Sequence, residues 1–208
     1  MLSPPPEEPW RTVEVPAERL DGWIDRFASR HGSPVAAVDD GAVRLTAPDG
    51  AVARIHLPSG AVAGNRAELV AAAAAFDSFG LVLVRRGGYA VGRVEGQRLA
   101  QSRCGTRYVQ GKTKAGGWSQ QRFARRRANQ ADAVAQAAAK AVSEVLGTRQ
   151  SPLVCGGDRA LIRQALELSG ADKWHIARWL DVPDPRRAVL ETAVGRARAA
   201  SIDLNKLA

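Results

Sequence analysis

Apolar positions recur at three- and four-residue spacing over 16–30, where Leu20, Trp23, Ile24 and Phe27 define one helical face and Gly32-Ser33-Pro34 ends the run. The period then shortens to two. Residues 34–38, 42–46 and 51–57 predict short strands, with Asp39-Asp40-Gly41 and Pro48-Asp49-Gly50 as hairpin-type connections. A short alanine-rich helix is expected over 68–76. The apolar run 81–85 reads as a buried strand, Arg86-Gly87-Gly88 turns it into 89–94, and 98–103 completes a meander. Residues 105–120 contain four glycines and no aliphatic period, which predicts a long, mobile, basic loop. A helix then runs over 121–146, with Phe123, Ala131, Val134, Ala138, Ala141 and Val145 on one face and Gly147 closing it. After it come a strand at 153–155, a turn at Gly156-Gly157-Asp158, a helix over 159–168, a strand over 173–180 and a final helix over 185–202. No internal repeat is visible. The pattern predicts an α/β (mixed α+β) fold: a mixed β-sheet flanked by helices, opening with a helix and a β-meander. Residues 1–9 read as a flexible tail, and 10–208 as a single domain.

Composition narrows the class. At 208 residues, 45% hydrophobic and 25% charged, the chain has ordinary globular proportions. No run approaches the roughly 20 apolar residues of a membrane helix. Pro4-Pro5-Pro6-Glu7-Glu8 stands where a secretory signal would be basic and then apolar, so the expected location is the cytoplasm. Cys104 and Cys155 lack the spacing of a zinc site and read as buried thiols. His31, His56 and His175 are scattered, and His175 between Trp174 and Trp179 reads as a packed histidine. Asp39, Asp40 and Asp49 are explained by turn chemistry. No metal and no cofactor are expected.

Charge changes the picture. The chain carries 30 basic and 21 acidic residues, a formal net charge of +9. Between 96 and 131 lie Arg98, Arg103, Arg107, Lys112, Lys114, Arg122, Arg125, Arg126 and Arg127 without one acid, so the remainder of the chain is balanced. A solvated arginine-rich helix face ordinarily carries interspersed glutamates. A block without them points to a phosphate backbone.

The stretch 112–121 (Lys112-Thr113-Lys114-Ala115-Gly116-Gly117-Trp118-Ser119-Gln120-Gln121) is poorly built for stability, since paired glycines cost conformational entropy. They do let backbone pass close to another surface. Gln120 and Gln121 offer neutral amides that donate and accept, including to a water, while lysines before them and arginines after them can hold phosphates. The bland reading of such a Gly-Gly-x-x-Gln pattern is an ordinary linker with Trp118 packed on the core.

Residues 112–139 (KTKAGGWSQQRFARRRANQADAVAQAAA) resemble the Vms/ANKZF-type ribosome-rescue peptidyl-tRNA hydrolases, in a compact actinobacterial form. The catalytic domain of that group is similar to the middle domain of archaeal and eukaryotic class I release factors. In that group a Gly-Gly loop presents a glutamine to the peptidyl-transferase centre, followed by a basic helix with an Ala-Asn element like Ala128-Asn129. The likeness spans roughly 105–180, with 105–121 as the Gly-Gly-Gln loop. It implies hydrolysis of the peptidyl-tRNA ester in the P site, with Gly116 and Gly117 shaping the loop and Gln120 orienting water. Arg107, Lys112, Lys114, Trp118, Arg122, Arg125, Arg126 and Arg127 would then hold RNA. The implied partners are the ribosomal large subunit, its rRNA and peptidyl-tRNA, for a protein expected to be monomeric. Release factors place the glutamine directly after the glycines, whereas Trp118 and Ser119 intervene here, so Gln121 stands as the alternative to Gln120. Two other classes stay open from the residues: a ribosome- or tRNA-binding module whose loop only docks, and a nuclease acting at the tRNA 3′ end.

Overall fold

The computed structural model describes residues 10–106, 118–148 and 150–208, with 118–128 described by backbone alone; the expected tail 1–9 lies outside them. The chain divides into two compact units, Met1–Phe76 with Arg198–Ala208, and Asp77–Ala197, where the sequence pattern suggests one domain over 10–208.

The first unit is built on β1 (Arg11–Val15), β2 (Val35–Asp39), β3 (Ala42–Thr46), β4 (Val52–His56) and β10 (Ala200–Leu204), with helices α1 (Leu20–His31) and α2 (Arg66–Ala74). Its sheet is antiparallel throughout, in the order β1-β10-β4-β3-β2. Alternation makes one face apolar: Val15, Val43, Leu45, Ala53, Ile55, Ile202 and Leu204 pack with Leu20, Ile24 and Phe27 of α1 and Leu69 and Ala73 of α2. The other face is polar, where Arg54 lies over the Trp10 ring at 4.5 Å and Asp39 pairs with Arg44 and Arg54. Asn65 caps α2 by accepting the Glu68 N–H at 3.0 Å.

The second unit holds β5 (Ser78–Arg85), β6 (Gly88–Glu95), β7 (Arg98–Thr106), α3 (Trp118–Leu146), β8 (Leu153–Gly157), α4 (Arg159–Ser169), β9 (Ile176–Leu180) and α5 (Arg187–Arg198), whose last residue belongs to the first unit. Its sheet runs β7-β6-β5-β8-β9 and is mixed: β5, β6 and β7 form the antiparallel meander, while β8 and β9 continue parallel to β5. Val82, Val84 and Val91 meet Val134, Ala138, Ala141 and Val145 of α3 and Ile162 and Ala165 of α4. On the opposite face Gly92 approaches Leu190 of α5: an added Cβ would stand 3.1 Å from its Cδ2. The small residues of α3 let it lie close on the sheet.

The mixed α+β class and most elements match the sequence pattern. Three differences have local causes. The predicted helix over 185–202 ends at Arg198, and Ala200–Leu204 instead forms β10, because Ile202 finds strand partners in Ile55 and Val13. Strand β1 was not expected, although the alternation of Val13 and Val15 carries its signal. Both ends of the segment expected as a loop over 105–120 are regular: β7 continues to Thr106, and α3 begins at Trp118, since no glycine or proline interrupts the chain from there to Leu146, while 107–117 lie outside the described residues.

Candidate nucleic-acid interface

Strand β7 is the edge of its sheet and carries the start of the basic block. It is pressed flush on β6 where it ends. Gly88 takes φ 157°, and a Cβ there would stand 2.3 Å from the Gly105 carbonyl oxygen, while a Cβ on Gly105 would meet the Tyr89 ring at 2.6 Å. This close approach fixes the end of the described part of β7 against β6. Arg107, Lys112, Lys114, Gly116 and Gly117 follow and lie outside the described residues.

The chain re-enters description as α3, which is 29 residues long and so spans about 43 Å at ~1.5 Å per residue. Its C-terminal half is fixed. Val134, Ala135, Ala138, Ala141 and Val142 are buried, Gln164 of α4 donates to Asp132 Oδ1 at 3.0 Å, and Gly147 (φ 65°) ends the helix with its N–H on the Ser143 carbonyl at 3.1 Å. Its first turns hold Trp118, Gln120, Gln121, Arg122, Arg125, Arg126 and Arg127, and no acid precedes Asp132. Gln120 and Gln121 therefore lie in the first helical turn rather than in the loop expected from the glycine pattern. A helix N-terminus is the positive end of its dipole and leaves four N–H groups without helical partners. Four arginines follow in the second and third turns, where their own charge adds to the attraction that the N–H groups of the first turn offer an anion.

Not every cation of the block is available. Arg103 on β7 forms an ion pair with Glu144 of α3, and Gln101 Nε2 donates to the Glu144 carbonyl at 3.2 Å. The acid that the block lacks in sequence thus arrives from the far end of α3. Next along β7, Ser102 accepts from Arg187 Nη1 at 2.6 Å, and Arg187 also pairs with Glu191.

Cys104, expected to be buried, is exposed because β7 is an edge strand; Cys155 on the inner strand β8 is buried as expected. Partial burial raises the Cys104 thiol, against a lowering influence of Arg187, and burial pushes Cys155 up to about 12. The thiolate is the reactive form. A thiol-specific reagent at pH 8 is therefore expected to label Cys104 alone in the folded chain, and Cys155 only after denaturation; equal labelling in the native state would contradict the buried β8. His175, expected to be packed, is exposed in the turn before β9, where its carbonyl accepts the Leu153 N–H at 2.8 Å.

The turn expected at Gly156-Gly157-Asp158 is not formed: Gly156 and Gly157 pair with β5 as the end of β8, and Asp158 passes directly into α4 as its cap. Asp158 Oδ1 accepts the Ala160 and Leu161 N–H groups at 3.0 and 3.2 Å, which occupies two of the donors a phosphate would need. Arg159 lies over the Trp179 ring at 4.4 Å. Among the described residues no group of three His, Cys, Asp or Glu side chains is placed to hold a metal ion, and no helix is long and apolar enough to cross a membrane.

Compared with known proteins, residues 77–203 match the family model of the Actinobacteria/chloroflexi VLRF1 release factor. No curated protein matches the chain. Among solved structures, the chain is similar to one described as the Vms1 mitochondrial localization core, at 13% identity and a TM-score of 0.42, covering 77% of this chain and 75% of that one.

Proposed function

The chain belongs to the Actinobacteria/chloroflexi VLRF1 release factor family, and from that membership we propose that it hydrolyses the ester of peptidyl-tRNA in the ribosomal P site, freeing nascent chains from stalled ribosomes or large subunits. The observation that carries the reading is the acid-free basic start of α3, with two glutamines in its first turn, immediately after the Gly116-Gly117 pair. Such an end suits a cavity walled by RNA, because its cations and its dipole both favour phosphate.

Hydrolysis needs a water held in line with the ester carbonyl, an aminoacyl site closed to other water, and stabilisation of the charge that develops on oxygen. A glutamine amide stays neutral, so it acts by orienting: its carbonyl accepts from the water while its NH₂ donates to a neighbouring acceptor. Gln120 takes this role, with Gln121 as the alternative. The ribosome's RNA supplies the remaining groups around the ester. Gly116 and Gly117 give the closest backbone approach, Trp118 stacks on an exposed base, and Arg107, Lys112, Lys114, Arg122, Arg125, Arg126 and Arg127 hold phosphates on either side. The protein acts in the cytoplasm as a monomer.

The test is incubation with ribosomes carrying labelled peptidyl-tRNA in the P site, on gels that preserve the ester. Free peptide with full-length tRNA is the expected product. Ribosome binding without release would overturn the catalytic reading in favour of a docking module, and a tRNA shortened at its 3′ end would make the protein a nuclease. Replacing Arg125, Arg126 and Arg127 together by glutamine is expected to weaken ribosome binding and to flatten its salt dependence by about 0.7–0.9 logarithmic units for each phosphate no longer neutralised. Sedimentation of the complex over a salt series measures both.

A further inference from the structure

We propose that the first unit carries a separate binding site for single-stranded RNA, in a groove of about 290 Å³ lined by Arg11, Trp23, Arg26, Phe27, Arg30 and His31. The groove lies where α1 faces the β1–β10 edge, on residues outside the 77–203 span of the family match.

Its chemistry follows from where the unit places its acids. Over 10–76 and 198–208 there are nine basic and nine acidic residues, so the unit is neutral as a whole. Its ion pairs draw most of the acids elsewhere: Asp21 and Asp25 to Arg66, Glu18 to Arg198, and Asp39 to Arg44 and Arg54, while Asp49 pairs with His31 at the end of the groove. Among the described residues Arg26 and Arg30 form no hydrogen-bonded ion pair, although Arg26 acts on neighbouring Asp25 through space, and both are exposed; Arg11 donates to an oxygen of the terminal residue Ala208, also at the groove, at 3.4 Å. Arg26 and Arg30 stand one helical turn apart on α1, a like-charge spacing that destabilises an isolated helix. Three arginines converge on one groove in a unit with no excess charge.

The floor of the groove is aromatic. The Trp23 and Phe27 rings stack with centroids 5.5 Å apart and an interplanar angle of 18°, and Phe27 meets His31 at 4.9 Å. Phe27 is buried and fixes the stack, while Trp23 stays partly exposed. Guanidinium groups that fork onto phosphate oxygens around a partly exposed indole are the combination that binds single strands, with cations along the backbone and a ring for a base. Neither the charge nor the rings belong to α3, so the site operates whether or not α3 reaches the peptidyl-transferase centre.

The probe is a fluorescein-labelled single-stranded oligouridine dodecamer, titrated by anisotropy against the full chain over a salt series. Arg26→Gln with Arg30→Gln is expected to weaken binding about tenfold and to lower the salt slope by about 1.4, at ~0.7 per single-strand phosphate neutralised. Trp23→Ala is expected to weaken binding by roughly five- to a hundredfold without changing that slope. The two arginines are exposed, so their variant keeps its fold, which far-UV circular dichroism confirms. A third variant, Arg125→Gln with Arg126→Gln and Arg127→Gln, reports on α3 independently. Binding that falls with the α3 variant and is untouched by the groove variants overturns the groove and leaves the α3 reading standing. Loss in the groove variants alone supports the groove and removes α3 from oligonucleotide binding. Poly-glutamate that competes at the groove, with the oligouridine unaffected by its variants, would make the site an acidic-peptide site and overturn the proposal.

Discussion

Replacing Gln120 by alanine is expected to lower the single-turnover rate of peptide release about a hundredfold, the scale on which misplacing a reacting group by an ångström slows a reaction. Ribosome affinity should be unchanged. The split between the two follows from the division of labour along the segment. In the proposed mechanism binding is spread over Arg107, Lys112, Lys114 and the four arginines of α3, whose interactions with phosphate would be made equally in ground and transition states. The glutamine contributes one amide and no charge, so it adds little to binding. Its whole effect lies in aligning water with the ester carbonyl, an interaction realised only on the way to the transition state. Quench-flow on preformed complexes, with Gln121→Ala alongside, reads both quantities. A large loss in Gln121→Ala with Gln120→Ala intact would transfer the role to the neighbouring residue, since the two stand side by side in the first turn of α3. Wild-type rates in both would end the proposal of glutamine catalysis.

Among the described glycines of the second unit, Gly157→Ala should be the most damaging change. Gly157 closes β8 at φ 106°, where side chains are strained, and an added Cβ would stand 2.2 Å from the Val84 carbonyl oxygen and 3.0 Å from Arg85 Cγ. That carbonyl cannot retreat. It is held by the Asp158 N–H at 2.7 Å, and Val84 itself is fully buried against the core that α3 and α4 share. The methyl must therefore break the β5–β8 pairing at Val84↔Gly157 or pull Asp158 off the start of α4. We expect a loss of about 4 kcal/mol or more, the sum of backbone strain and a clash with immobile backbone. Thermal midpoint should fall by ~8–16 °C at roughly 2–4 °C per kcal/mol for a chain of this size. Gly170→Ala is the control: it also has positive φ (75°) but nothing within 4 Å of the added atom, so strain alone applies, at about 1–2 kcal/mol. Equal midpoints for the two variants would show that the close approach at Val84 is not rigid. Because α4 ties to α3 through Gln164 and Asp132, Gly157→Ala should also weaken ribosome binding.

The residues legible in advance were those whose structure is decided by near neighbours. The three- and four-residue spacing of Leu20, Ile24 and Phe27 is sufficient for α1, since each of these side chains is buried on one face. Val43, Leu45 and Ile55 alternate in β3 and β4 as a half-buried sheet requires, and Asp158 caps the helix it precedes. The basic block and the Gly-Gly-Gln order are likewise properties of the string. They carry the release-factor resemblance, which the family match bears out, and the nucleic-acid partner proposed above rests on them.

Local elements, the excess positive charge and the family are thus written in the order of residues, whereas strand pairing and the fate of individual charges depend on contacts between distant parts of the chain. Ala199 and Ala200 extend a helical pattern in sequence, yet 200–204 becomes a strand because Ile202 is buried between Ile55 and Val13, partners that lie far earlier in the chain. A five-residue segment has too few local interactions to choose its own conformation, so long-range pairing chooses for it. The same holds for charge. Arg103 looks free in an acid-free stretch and is tied to Glu144, while Arg26 and Arg30, unremarkable in a balanced segment, are left facing a groove once Arg66 has taken Asp21 and Asp25. A charge acts over a few ångströms of space rather than over positions in sequence, and only the fold sets those distances.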